Sequence, residues 1–184
     1  MHCVDLEADR GLGAYWENKF CELAAGFHRY FTAHQLGRSS AACAGGPNGR
    51  YLLLPDITLW SSLGEHHEVK HKAPTRYGSF GLERYRFKAL VQFAELTGQP
   101  VYYTIHDHSR AGGRDSTLNR LEDWVAAEVS VLKGQQEERP APSWVNGQHR
   151  CVPVCYWRKE LFTPLAEHFA ASALFSENST WSAL

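Results

Sequence analysis

Residues 54–74 read "LPDITLWSSLGEHHEVKHKAP", and two incompatible metal signatures overlap in them. On a helix, His67-Glu68-x-x-His71 would be the H-E-x-x-H zinc site of a metalloprotease, both imidazoles lying four residues apart on one face. On a strand, Pro55-Asp56 followed by Glu68-x-Lys70 gathers two carboxylates and a lysine around one patch. Gly64 and Pro74 leave at most nine residues for a helix, and Val69 is the only aliphatic side chain between Glu65 and Ala73. Such a helix would have no apolar stripe to bury. The following "KAPTRYGSFG" also lacks a third zinc ligand at a familiar offset. The strand reading is preferred, and the zinc protease stays as the minor alternative.

Alternation along that strand turns Glu68, Lys70 and Lys72 to one side and His67, Val69 and His71 to the other. The "SSLG" turn lets a preceding strand set Asp56 beside Glu68. Two adjacent carboxylates repel, and a divalent cation between them relieves the repulsion. A lysine one step along can hold a water or offset developing negative charge.

Outward from this stretch, "GAYWENKFCELAAGFHRYF" (13–31) carries Trp16, Phe20, Leu23, Phe27, Tyr30 and Phe31 at helical spacing. Residues 37–50 read as a loop able to hold a short strand, without the Lys-Ser/Thr of a P-loop. "YLLLPDITLW" (51–60) reads as a strand whose proline marks an edge or bulge. A helix is expected at about 80–97, with Leu82, Tyr85, Ala89, Leu90, Phe93 and Leu96 on one face and Gly98 and Pro100 ending it. "VYYTIHD" (101–107) reads as a buried strand. A third helix is expected over 116–133, a polar loop over 134–149, a strand over 151–157, a closing helix near 161–175 and a frayed tail from 176 to 184.

With 184 residues, 43% hydrophobic and 21% charged, the chain suits one globular domain rather than a disordered segment. No apolar run nears the roughly 20 residues that span a bilayer. "MHCVDLEADRGLG" has no signal-peptide pattern, so a cytoplasmic location and reduced cysteines are expected. Cys151, Cys155 and His149 do not have zinc-finger spacing and read as structural. Net charge is −1, yet from His66 to Lys88 six basic residues face two acidic ones, a local charge of +4. Taken by itself such a cluster reads first as a solvated helix face and second as a surface for nucleic acid.

Pro55-Asp56, then Glu68-Val69-Lys70 twelve residues on, followed by a basic helix and a buried strand, resemble the PD-(D/E)XK nuclease superfamily, which includes many restriction endonucleases and Holliday-junction resolvases. The resemblance implies an α/β, restriction-endonuclease-like core of helix, three-stranded meander, helix and strand over about residues 14–107. Residues 108–175 would add C-terminal helices to the same single domain. It further implies a Mg²⁺-dependent endonuclease acting on DNA, with Mn²⁺ as a substitute, RNA left open as a target, and a homodimer as a plausible assembly. Asp56, Glu68 and the Val69 carbonyl would hold the ion, and Lys70 would serve the nucleophile or the transition state. An acidic residue from the first helix would assist, Glu17 before Glu22. Lys72, Arg84 and Lys88 are the candidate phosphate contacts, and Trp60 and Trp144 the candidate base-stacking surfaces. The plain alternative for Glu68 and Lys70 is a surface ion pair of little energetic weight. A catalytically inactive nucleic-acid-binding module on the same fold is the second functional alternative.

Overall fold

The disputed segment is a strand. In the computed structural model, which describes residues 6–27, 32–35, 43–45, 51–60, 64–111, 119–145 and 148–178, Glu65–Lys72 forms an extended segment that runs through the interior of a mixed sheet. In chain order the elements are α1 (Leu6–Phe27), β1 (Thr32–Gln35), β2 (Cys43–Gly45), β3 (Tyr51–Leu53), β4 (Ile57–Trp60), β5 (Glu65–Lys72), β6 (Ser79–Glu83), α2 (Arg84–Thr97) and β7 (Val101–Asp107). After these come β8 (Trp124–Glu128), α3 (Val129–Leu132), β9 (Glu137–Val145), β10 (Gln148–Arg158), β11 (Thr163–Pro164) and α4 (Leu165–Asn178). Six strands lie in the order β1-β4-β5-β7-β8-β11, β6-β10-β9 make a second sheet, and β2-β3 form a hairpin.

"EHHEVKHK" has little strand propensity beyond Val69. Its neighbours supply the extended state: β4 pairs antiparallel with Glu65–His67, and β7 pairs parallel along His66–Lys72. Gly64, at φ +60°, turns the chain into β5 in a left-handed conformation that side chains disfavour. Gly98 does the same at the end of α2, where its N–H closes on the Ala94 carbonyl at 2.9 Å. That cap lets α2 return the chain to β7, completing the crossover a parallel pair requires.

Apolar side chains pack on both faces of the sheet. On one face Trp16, Phe20 and Ala24 of α1 and Leu165 and Phe169 of α4 cover Ile57, Leu59, Val69 and Trp124. On the other, Phe87, Leu90 and Phe93 of α2 meet Val101, Tyr103 and Ile105 of β7, with Phe80, Leu82, Cys155 and Trp157 from the second sheet. Alternation along β5 therefore sends its odd residues toward α1 and α4 and its even residues toward α2.

Several sequence expectations need correction. The strand expected over 51–60 is two strands, because Pro55 lacks a ladder N–H and Asp56 bends the chain between them. Residues 79–83 are β6, not helix, since they pair with Arg158–Val154 of β10. Tyr85 and Leu96 are consequently exposed, and the inward face of α2 is Phe87, Leu90 and Phe93. The third helix is a single turn, Val129–Leu132, after a strand that pairs with Tyr102–His106. The expected loop at 134–149 contains β9, and the main sheet continues past residue 107 through β8 and β11. The expected frayed tail overlaps the end of α4 at Asn178; residues 179–184 lie outside the described part. So do the side chains of Trp60 and Trp144. Among the described residues, no helix is long and apolar enough to cross a membrane.

Candidate active site

Pairing between β4 and β5 stops at Ile57↔His67, leaving the next β5 amide without a strand partner on that side. Asp56 takes the vacant role: its Oδ2 accepts from the Val69 N–H at 2.9 Å. The bend that breaks the strand thus fixes an aspartate at the middle of β5. Lys70 closes the group, its Nζ lying 3.1 Å from Asp56 Oδ2, 2.6 Å from Glu68 Oε1 and 3.0 Å from the Val69 carbonyl. Glu68 is fully buried and Asp56 and Lys70 are partly so. Burial alone would weaken the Lys70 ammonium, but Asp56 and Glu68 outweigh it and hold the group firmly protonated.

Glu17 approaches from α1, one residue past the buried Trp16. Burial pushes its carboxyl up to about 7, and the nearby charges of Asp56 and Glu68 add to this while Lys70 and Arg86 oppose it. Three carboxyl groups from three elements therefore share one region, and burial, with the other two charges adding to it, holds Glu17 near its protonation point.

A residue outside the sequence-based site completes the arrangement. Arg86, in the first turn of α2, donates from Nε to Glu68 Oε1 at 2.8 Å and from Nη2 to Glu68 Oε2 at 2.5 Å. Nη2 also reaches Asp56 Oδ1 at 3.0 Å, so one guanidinium ties both carboxylates together. The signal was present in the sequence: Arg86, Leu90 and Phe93 follow the i, i+4, i+7 spacing of one helical face.

Lys72 shares the Glu68–Lys70 face, but its ammonium donates to the Gly81 carbonyl at 2.6 Å, and burial lowers it to about 8. Arg84 pairs with Glu138 at 3.0 Å on the surface, and Lys88 is exposed. The H-E-x-x-H reading fails on geometry. In a strand, residues four apart are about 13 Å distant, and Glu68 faces away from both histidines. His67 packs against Phe20, while His71 stacks on Trp16 with ring centroids 4.3 Å apart.

By sequence, no known protein family matches this chain, and no curated protein matches it. By structure, it is similar to Archaeoglobus fulgidus Hjc, a Holliday junction resolvase from an archaeal hyperthermophile. The likeness covers 86% of this chain and 96% of Hjc, with a TM-score of 0.51 and 15% identity. The chain has the restriction-endonuclease-like fold. Within this fold, Asp56 and Lys70 meet Glu68 at the point where the meander strands part, facing the α2 side of the sheet.

Proposed function

We propose that the chain is a divalent-metal-dependent endonuclease that hydrolyses DNA, with Mg²⁺ as its ion and Mn²⁺ as a substitute. One observation carries the reading: Asp56, Glu68, Lys70 and Glu17, drawn from a bend, a strand and a helix, converge on one patch. The donor set fits a hard cation, because carboxylate oxygens and the Val69 carbonyl are the ligands such ions take. Burial is the main cause of the raised Glu17 carboxyl; the charges of Asp56 and Glu68 add to it, and a divalent ion would offset that smaller part.

Asp56, Glu68 and the Val69 carbonyl would hold the ion. When bound, it polarises a phosphate and makes a water ligand acidic enough to supply hydroxide near neutral pH. Lys70 orients the attacking water and offsets charge that develops on the phosphate. Glu17, poised near neutrality, accepts a proton. Arg86 holds the two carboxylates in register between turnovers. Of the three basic candidates, the exposed Lys88 would meet a backbone phosphate most directly, since Lys72 already donates to the Gly81 carbonyl and Arg84 already pairs with Glu138. A second copy of the chain would supply the second active site that cutting both strands of a duplex requires.

The arginine bridge also favours a second reading, a DNA-binding module without catalysis, because Arg86 already satisfies both carboxylates. Cleavage assays separate the two. Supercoiled plasmid, linear duplex, single strands and four-way junctions are incubated with Mg²⁺, Mn²⁺ or EDTA, using the wild type and Lys70→Ala. Metal-dependent cutting that vanishes in Lys70→Ala supports the nuclease. Retained cutting in that variant refutes the assignment, and binding without cutting on every substrate supports the module.

A further inference from the structure

The other face of β5 presents a second, separate set of metal-ligating groups. Glu65 and His67 are two residues apart and therefore share the side that α1 and α4 cover. α4 brings His168 over them, from 103 residues further along the chain. One donor atom from each of the three lies within 4.8 Å of the others. His67 Nε2 stands 3.3 Å from Glu65 Oε1, and His168 Nε2 stands 3.4 and 3.2 Å from Oε1 and Oε2.

These distances are long for charge-assisted hydrogen bonds, which run about 2.7–2.9 Å. They do match the edge of a tetrahedron. Two donors each about 2.05 Å from a four-coordinate zinc ion stand about 3.3 Å apart. Solvent reaches little of the group: the His67 side chain is 0% exposed, Glu65 9% and His168 14%.

His67 Nδ1 is bonded to Thr104 Oγ1 at 2.8 Å, which fixes the ring and aims Nε2 into the group. Metal-bound histidines carry an outer hydrogen bond of this kind on their second nitrogen. Phe20 and Tyr102 wall the His67 ring, and Tyr102 also lies against His168, at 4.4 Å between centroids.

We infer that Glu65, His67 and His168 form a zinc site that pins α4 to the central strand. Two imidazoles and one carboxylate make a borderline donor set, which selects Zn²⁺ over Mg²⁺. The Asp56–Glu68 group, all oxygen, has the opposite preference. Strand β5 would then carry one ion of each class, one per face. The fourth zinc position goes to a water, as in other three-ligand sites. This site is unrelated to the H-E-x-x-H reading: it shares only His67 with that motif, and its other ligands come from Glu65 and a distant helix.

The test uses the full chain, stripped with chelator and dialysed against Zn²⁺ or Co²⁺. Expected results are one zinc per chain by elemental analysis, the visible absorption band of four-coordinate Co²⁺, and a rise in melting temperature on zinc addition. Glu65→Gln and His168→Gln, which keep the side-chain volume, should lose all three signals while retaining the wild-type circular dichroism. Asp56→Asn, on the opposite face, should keep them. Absence of zinc and of the cobalt band in the wild type overturns the site, as does undiminished uptake in both Gln variants. The outcome is independent of whether DNA is cut.

Discussion

Removing Arg86 is the most informative single perturbation of the carboxylate site. Its guanidinium makes two hydrogen bonds to Glu68 and one to Asp56, with Glu68 only 1% and Arg86 13% exposed. Breaking a buried ion pair from one side costs about 3–5 kcal/mol, because the remaining charge is left without its partner. Lys70 reduces that figure here, since it stays 2.6 Å from Glu68 and 3.1 Å from Asp56. We expect Arg86→Ala to lose about 2–3 kcal/mol in EDTA, a drop of roughly 4–12 °C in melting temperature for a domain of this size. A divalent ion restores the missing positive charge, so with Mg²⁺ or Mn²⁺ the deficit should shrink below about 1 kcal/mol. The ion should therefore stabilise the variant more than it stabilises the wild type. Urea unfolding at matched ionic strength, with EDTA or with the ion, measures both quantities. An equal deficit in the two conditions would show that Arg86 and the ion do not serve the same carboxylates, and no deficit in EDTA would refute the bridge itself.

Other outcomes follow from the same geometry. Lys70→Ala should reduce DNA cleavage by about 10²–10³-fold while leaving DNA affinity near that of the wild type, as judged by single-turnover kinetics and gel shift. Phe20, fully buried on the inward side of α1, should cost about 3–5 kcal/mol as Phe20→Ala, and an unchanged urea midpoint would contradict its place in the core. His106 is fully buried, and burial followed by the charges of His71 and His108 lowers it from 6.5 to about 4. Between those values the unfolded chain binds more protons than the folded one. Its contribution is thus fully present above pH 6.5 and lost as pH falls through 4, by up to about 3 kcal/mol. Urea unfolding at pH 7 and pH 4.5 reads this loss, and His106→Phe should flatten the dependence; an equally steep profile in that variant would assign it elsewhere.

The segments that could be read in advance are those where local chemistry and distant partners agree. Gly64, Pro74 and the lack of an apolar stripe exclude a helix at 65–72, and alternation then places Glu68 with Lys70 and opposite His67. Residues 116–133 show the reverse. "WVAAEVSVL" suits helix or strand equally, and β7 decides by pairing with Trp124–Glu128. Ser79–Glu83 is likewise set by β10, more than seventy positions away. Counting Leu82 with α2 turns the expected inward face of that helix toward Tyr85 and away from Arg86. The convergence of Glu65 with His168 has no local signature at all, since only the packing of α4 on the sheet creates it.

The second sheet ends in β9, and its two prolines say something about how copies of this chain can meet. Pro140 faces Pro153 and Pro142 faces Cys151 in the β9–β10 register. A proline can hold a place in a continuous ladder only where its nitrogen points away from the partner. Pro140 and Pro142 must therefore aim their missing donors at the free edge, while Pro153 stands just beyond the last pair with β6, Val154↔Glu83. Among the described residues this rim keeps its carbonyl acceptors but lacks the N–H donors of Pro140 and Pro142, so an incoming strand would find an incomplete ladder there. This blunts the sheet against runaway edge-to-edge stacking. A second copy, if it joins the first on a DNA duplex, would gain no continuous strand ladder along β9 and would meet its partner elsewhere.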